Sequence, residues 1–300
     1  MIPPSTRIAN MEIIRTIEWM KQTSRQAEAA GRVIGLVPTM GALHEGHLSL
    51  VRAARERCSP IVVSIFVNPK QFGPSEDFQK YPRDFEKDRA LLENLNVDYL
   101  FCPEPAEIYP RDFHTGVHVE GLSEKFEGRV RPGHFQGVTT VVLKLFEIVR
   151  PRFAYFGRKD AQQARIIRQM SYDLNLDSEI VVCPILREPD GLAMSSRNAY
   201  LKNDERRAAQ ILFQSLDAVR RKIATGAREA GSLLDVLRST VAAERVAKLD
   251  YAEIVDADSF EPINFLRGNC LILIAARIGA TRLIDNMLIE QHDGNFTVSL

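Results

Sequence analysis

The sequence predicts an α/β protein: a parallel sheet doubly wound by helices, followed by a smaller α+β domain. Short apolar runs alternate with amphipathic stretches through the first 184 residues, the pattern of strand–helix–strand units whose strands lie parallel. After Pro184 a charge-rich helical stretch over 203–247 gives way to three apolar runs with hairpin-scale connections, which reads as a small antiparallel sheet. Glu188–Pro189–Asp190–Gly191 supplies turn chemistry at the junction. The domains are therefore placed at 1–184 and 185–300, and 300 residues is a length that suits two.

The elements follow in order. Residues 10–30 have helical periodicity and stop at Gly31. Strands are expected at Val33–Val37, Pro60–Val67, Val97–Cys102, Val117–Val119, Phe153–Phe156 and Glu179–Cys183. Helices are expected near 46–57, 84–95, 137–149 and 160–173, each with an apolar face at helical spacing. The second domain has strands at Asp250–Val255, Cys270–Ala276 and Thr281–Met287.

Composition narrows the function. The chain is 45% hydrophobic and 26% charged, enough for a sizeable core. Lys plus Arg equals Asp plus Glu at 39 each, so no overall field draws in nucleic acid or an anionic membrane, and neither is an expected partner. Cys58, Cys102, Cys183 and Cys270 form no CxxC, which suits buried thiols in a reducing compartment. The first twenty residues lack the apolar core of a signal peptide, and no apolar run approaches about 18 residues. The expected location is the cytoplasm.

The most informative segment is LVPTMGALHEGHLSLV, residues 36–51. A strand reaches a turn at Pro38, Thr39, Met40 and Gly41, and His44, Gly46 and His47 follow as a helix begins. That is where an α/β sheet places a phosphate, because free N–H groups and the positive helix end meet there. Two imidazoles three residues apart share one face of the first turn and can donate to phosphoryl oxygens, and Gly46 leaves room for close approach. The pair would otherwise be capping or core residues, or two zinc ligands, although no CxxC or third His stands nearby.

Other segments leave polar groups beyond strand ends. Asn68 and Gln71 are neutral amides able to bond a hydroxyl or carboxylate, among Phe66, Phe72 and Tyr81, which would wall a pocket. Gly157–Arg158–Lys159 precedes a helix as a phosphate cradle would, and Asp160 with Gln163 also fits a capping box. Met194–Ser195–Ser196–Arg197 is either a flap over a charged ligand or a helix cap. Arg131 and His134 would face the site or a subunit contact. His114, His118 and Asp112 would hold a metal or lie on a solvent loop and edge strand.

Taken together, PTMGALHEGH, SIFVNPKQF with a following YPR, GHFQGVTTVVLKLF, YFGRKDAQQ and GLAMSSRN resemble, in order and spacing, the pantoate–β-alanine ligases. These are nucleotidyltransferase-superfamily enzymes with an HxGH motif and a serine-rich loop. The resemblance covers essentially the whole chain. It implies a Rossmann-like first domain, a smaller carboxy-terminal lid and a homodimer. It also implies condensation of pantoate with β-alanine through pantoyl adenylate, releasing pyrophosphate and then AMP. By resemblance, ATP would be held by Met40, Gly41, Ala42, Leu43, His44, Glu45, Gly46 and His47. Gly157, Arg158, Lys159, Asp160, Leu186, Met194, Ser195, Ser196 and Arg197 would complete that site. His44, His47, Lys159, Ser195, Ser196 and Arg197 would act on the triphosphate, with His47 the proton donor. Gln71 would contact pantoate and β-alanine, Gln163 would contact pantoate, and Asn68 is grouped with them. Mg2+ would share the triphosphate charge; its protein ligands are not indicated beyond Asp88 as a candidate. Arg158 stands where the family commonly has glutamate or glutamine, and its side chain is expected to point outward.

Overall fold

A computed structural model describes residues 11–74 and 76–300. The targeting reading of the extreme amino terminus and the start of the expected 10–30 helix lie outside the described residues. In chain order the strands and helices are β1 (Glu12–Ile14), α1 (Ile17–Ala29), β2 (Gly35–Thr39), α2 (Glu45–Arg55), β3 (Ile61–Ile65), α3 (Phe85–Asn94) and β4 (Tyr99–Phe101). They continue with α4 (Pro105–Ile108), α5 (Phe126–Val130), α6 (His134–Val149), β5 (Phe153–Gly157), α7 (Ala161–Asp173) and β6 (Glu179–Cys183). Last come α8 (Asn203–Ala208), α9 (Ile211–Ala224), α10 (Ala230–Ala242), β7 (Ala247–Asp256), β8 (Cys270–Ile278), β9 (Thr281–His292) and β10 (Asn295–Ser299).

The described residues form two compact units, one of the chain up to 124 with 128–156 and 166–183, the other of 125–127, 157–165 and 184–300. The second unit thus draws in two short stretches in addition to everything after Cys183. The cause is visible in its hydrogen bonds. The Gln162 amide donates to the Lys125 carbonyl (2.9 Å) and accepts from the Glu127 N–H (3.1 Å). The Glu127 carboxylate receives two bonds from Arg282, both 2.7 Å.

The first unit holds a six-stranded sheet ordered β1-β4-β3-β2-β5-β6; the pairings β1–β4, β4–β3, β3–β2 and β2–β5 are parallel. Strand order reverses between β2 and β5, and ligands of open α/β sheets bind beyond the carboxyl ends at such a point. Val37, Val63, Leu100 and Tyr155 of the sheet are buried with Leu48, Val51 and Ala54 of α2 and Leu92 of α3. The expected helix over 10–30 begins only at Ile17: residues 12–14 pair with β4, and the Thr16 hydroxyl caps α1 by accepting from the Trp19 N–H. Val117–Val119 is not a strand. Its Val117 N–H and carbonyl are taken instead by the side chains of Thr140 and Thr139 on α6.

The second unit pairs a four-stranded antiparallel sheet, β10-β9-β8-β7, with α9 and α10. Leu212, Leu216, Val219 and Leu237 of the helices are buried with Ile254, Ile272, Ile274 and Met287 of the sheet. The helical stretch expected over 203–247 holds three helices, α8, α9 and α10, and β10 is a strand that the apolar pattern did not announce. Asp293 and Gly294, both at positive φ, turn the chain from β9 into it, as a two-residue hairpin with Asp-Gly does. Among the described residues no helix is long and apolar enough to cross a membrane.

Candidate active site

In the first unit, β2 delivers the chain to the HxGH turn, and hydrogen bonds shape every step of it. The Thr39 hydroxyl donates to the Ser64 carbonyl of β3 (2.7 Å) and accepts from the Gly41 N–H (3.2 Å). Gly41 sits at φ +78, and a Cβ there would come within 3.0 Å of Asp88 Oδ2 and 3.1 Å of Ile65. Asp88 of α3, 2% exposed, accepts from the Ala42 N–H through Oδ2 (2.8 Å) and from the Leu43 N–H through Oδ1 (2.7 Å). Burial pushes its carboxyl pKa up while these two amides oppose the shift.

His44 is the N-cap of α2, its Nδ1 accepting from the Gly46 N–H at 3.1 Å. His47 Nδ1 in turn accepts from the His44 N–H at 3.4 Å. The two rings lie 4.1 Å apart at 38°. A neutral imidazole whose Nδ1 accepts carries its proton on Nε2, so both rings are set as Nε2–H donors at the positive end of α2.

This corrects one expectation. The N–H groups of Gly41, Ala42, Leu43, His44 and Gly46 are not free for phosphate, because side chains of the same unit accept them. Asp88 spends one bond of each carboxylate oxygen on the loop, which makes it a clamp for Ala42 and Leu43.

Gln71 lies in a single 3-10 turn, Pro69–Gln71, capped by Asn68. Its Nε2 donates to the Met40 sulfur (2.9 Å) and its Oε1 accepts from Asn68 Nδ2 (3.1 Å). Asn68, 1% exposed, also donates to the Gly137 carbonyl (3.0 Å) and accepts from the Tyr109 hydroxyl (2.9 Å) and the Lys70 N–H (3.2 Å). Its four bonding positions are thus filled by the protein. Asn68 positions Gln71 rather than reaching for a substrate. Arg131 and His134, left between a site face and a subunit face by the sequence, do the same work from behind. His134 Nδ1 donates to the Gln71 carbonyl (2.8 Å) and Arg131 Nη2 reaches it at 3.3 Å. Glu76 pairs with Arg131 at 2.6 and 2.9 Å. Phe72 meets Tyr81 and Phe78 edge-on, while Phe66 packs against Tyr109.

The turn seats directly on α6. A Cβ at Gly137 would stand 2.2 Å from the Lys70 carbonyl oxygen, which cannot yield without moving Gln71. Gly137→Ala is therefore expected to cost about 1–3 kcal/mol, the usual penalty of overpacking. If Gln71 has the role that the resemblance implies, the KM for pantoate should rise as well. Thermal unfolding and steady-state kinetics on the one variant read both effects.

In the second unit, Arg158–Asp160 form a 3-10 turn ahead of α7, with Lys159 Nζ 3.7 Å from Asp160 Oδ2. Gln163 is half-buried beside Gln162, the residue that clamps 125–127. Arg158 does not point into solvent as expected. It is half-buried, and its Nη2 donates to the Ser299 carbonyl of β10 at 3.2 Å. Burial lowers its guanidinium pKa. Leu186, by contrast, is exposed. Ser195 caps a 3-10 turn, Ser196–Tyr200, by accepting from the Arg197 N–H at 3.3 Å, and the Met194 N–H donates to the Leu186 carbonyl at 3.0 Å. Among the described residues, His, Cys, Asp and Glu form no group of three or more able to hold a metal ion. His118 pairs with Glu124 at 3.0 Å instead.

Comparisons with known proteins agree along most of the chain. A family model described as pantoate-beta-alanine ligase matches residues 12–288. A pantothenate synthetase of Heliobacterium modesticaldum is 54% identical over 280 residues, covering 93% of this chain and all of that protein. One of Thermotoga petrophila is 52% identical over 279 residues, with the same coverage. The crystal structure of pantothenate synthetase from Thermus thermophilus superposes with a TM-score of 0.87 at 44% identity, covering 92% of this chain and 98% of that one. The pantoate-beta-alanine ligase of Francisella tularensis, complexed with beta-gamma ATP and beta-alanine, superposes with a TM-score of 0.76 at 36% identity, covering 92% and 97%.

Proposed function

The chain belongs to the pantoate-beta-alanine ligase family, and on that premise we propose how its residues divide the work. It is a pantothenate-forming, ATP-dependent ligase. The proposed route has two half-reactions. A carboxylate oxygen of pantoate attacks the α-phosphorus of ATP and pyrophosphate leaves. The amine of β-alanine then attacks the acyl carbon of pantoyl adenylate, loses a proton, and AMP leaves. No side chain of the enzyme becomes covalently attached.

The first step is limited by charge on the triphosphate and by in-line alignment, so fixed donors are what it needs. His44 and His47 are assigned to it with Met40–Gly46, and the observation that carries the assignment is their shared geometry. Each Nδ1 is used by a backbone N–H, which leaves Nε2–H as the donor without any positive charge on the ring. Such a donor suits an oxyanion that grows as the bond to phosphorus breaks. Gly157–Asp160, Leu186 and Met194–Arg197 are assigned to the remainder of the ATP site, with Lys159 and the Ser195–Ser196 hydroxyls on the leaving pyrophosphate. Mg2+ would arrive on the triphosphate and neutralise part of its charge. Because Mg2+ is commonly bound through substrate phosphates and few carboxylates, the donor set of this chain is compatible with it, and no residue is assigned as its ligand.

Gln71 is assigned to pantoate and β-alanine and Gln163 to pantoate. The Francisella tularensis relative, crystallised with beta-gamma ATP and beta-alanine, supports a site for both in this family. Gln71→Ala is expected to raise the KM for pantoate several-fold more than that for ATP, and a titration with equal losses for both ligands would contradict the assignment. The proposal extends to domains at 1–184 and 185–300, the second acting as a lid, and to a cytoplasmic homodimer. All four cysteines are buried and free, which supports a reducing compartment. Light scattering tests the dimer.

The deciding experiment is incubation with ATP, Mg2+, pantoate and β-alanine, each omitted in turn, with products identified by mass. Pantothenate, AMP and pyrophosphate should appear together only in the complete mixture. An enzyme that retained the adenylyl group on its product would release pyrophosphate without AMP, and that result would refute the ligase route.

A further inference from the structure

Two adjacent polar residues interrupt the apolar middle of β9: Asp285, 3% exposed, and Asn286, 1% exposed. Asp and Asn are depleted in strands, and most buried polar atoms are hydrogen-bonded; both Asp285 oxygens and Asn286 Nδ2 are, while Asn286 Oδ1 has no partner among the described residues. The bonds they make are to the two segments of the second unit assigned to ATP. Asn286 Nδ2 donates to the carbonyls of Arg158 (2.8 Å) and Lys159 (3.0 Å). Those carbonyls belong to the 3-10 turn that carries the Lys159 ammonium.

Asp285 makes a two-pronged pair with Arg187, 2.7 and 3.0 Å, and its Oδ1 also accepts from the Asn286 N–H at 2.8 Å. Arg187 in turn donates to the Gly191 carbonyl at 3.0 Å, and its backbone bridges to Ala193. The neighbouring Met194 N–H and Asn198 side chain complete that fold, bonding to Leu186 and Ala193 respectively. A planar guanidinium held by both carboxylate oxygens cannot swivel, so Arg187 carries the position of Asp285 into the segment ending at Ser195–Arg197.

We infer that Asp285 and Asn286 are positioning residues that hold the Lys159 turn and the Leu186–Arg197 segment in one fixed relation for the ATP step. A strand tied to neighbours on both sides supplies the rigidity that neither loop has alone. Asp285 sets the loop by charge, Asn286 sets the turn by two neutral bonds, and their own backbone bond couples the two. The inference rests on the assignment of Lys159 and Ser195–Arg197 to ATP.

The test separates the half-reactions. Asn286→Ala and the near-isosteric Asp285→Asn are assayed for ATP–pyrophosphate exchange with pantoate. They are then assayed for pantothenate formation from supplied pantoyl adenylate and β-alanine. Pantoyl adenylate has no β- or γ-phosphate, so the second assay does not need Lys159 on a leaving pyrophosphate. Each variant is expected to lose about 10²-fold in kcat/KM for ATP, the scale set by misplacing a catalytic group by an ångström, and to keep the second rate within a few-fold. Asp285→Glu, which retains the charge, should recover part of the loss. Should Asn286→Ala fail to fold, Asp285→Asn carries the same split. Equal losses in both assays would mark a purely structural role and overturn the inference, as would unchanged exchange. Lys159→Ala is the control. If it leaves exchange intact, the ATP assignment fails; if it abolishes exchange while the β9 variants do not, only the positioning role fails.

Discussion

Replacing His47 by alanine should leave the protein folded and slow pyrophosphate release by about 10²–10³, the usual cost of removing one preorganised donor. The fold should survive for three reasons. His47 lies in the first turn of α2, where alanine is an excellent helix former. The bond its ring accepts from the His44 N–H is long at 3.4 Å. The core face of α2 is carried by Leu48, Leu50, Val51 and Ala54. His44→Ala is a poorer probe, because it also removes the N-cap and so costs about 1 kcal/mol of helix stability. His47→Gln keeps a side-chain N–H in roughly the same place and should fall between wild type and alanine. Rapid-quench measurement of pyrophosphate, alongside thermal unfolding, checks the whole series. A His47→Ala enzyme that releases pyrophosphate at a near wild-type rate would remove this residue from the mechanism.

The alternation of strands and helices is legible because parallel strands are buried on both faces and read as apolar runs; Ile61–Ile65 and Phe153–Phe156 are examples. Where it misleads, the cause is local. Val117 has the apolar alternation of a strand, yet its backbone is served by two threonine hydroxyls of α6, and side-chain competition for backbone groups is not encoded in periodicity. The β10 strand was signalled only by Asp293–Gly294, a turn cue rather than an apolar one. The three-residue β1 is too short to carry a period.

The site divides in the same way. The spacing of His44 and His47 puts both rings on one helix turn, and that is local information. The destination of the Ala42 and Leu43 amides is not local, because their acceptor, Asp88, lies 46 and 45 residues further on. The same holds for Arg131 and His134, whose target is a backbone carbonyl about 60 residues earlier. Asp285 and Asn286 did carry a signal, being two polar residues inside an otherwise apolar strand. Reading it requires knowing which carbonyls and which guanidinium they face.

Asp88, no more than a candidate for Mg2+ from the sequence, holds the HxGH loop through two backbone amides. Asp88→Ala would strand the Ala42 and Leu43 N–H groups, and a buried donor left unmade costs about 1–3 kcal/mol. The expected result is a destabilised but folded enzyme that has lost most of its pyrophosphate exchange, since the turn leading to His44 is no longer held. Asp88→Asn keeps one accepting oxygen but turns an NH2 toward the other amide, so it should rescue little of that loss. The two roles separate on a Mg2+ titration. A metal ligand, once removed, weakens the apparent Mg2+ affinity, and excess Mg2+ restores part of the rate. A loop clamp does neither, because no concentration of metal replaces an acceptor for Ala42 and Leu43. Unchanged half-saturation by Mg2+ with a lowered ceiling is therefore the outcome expected of both variants, and recovery at high Mg2+ would return Asp88 to the metal.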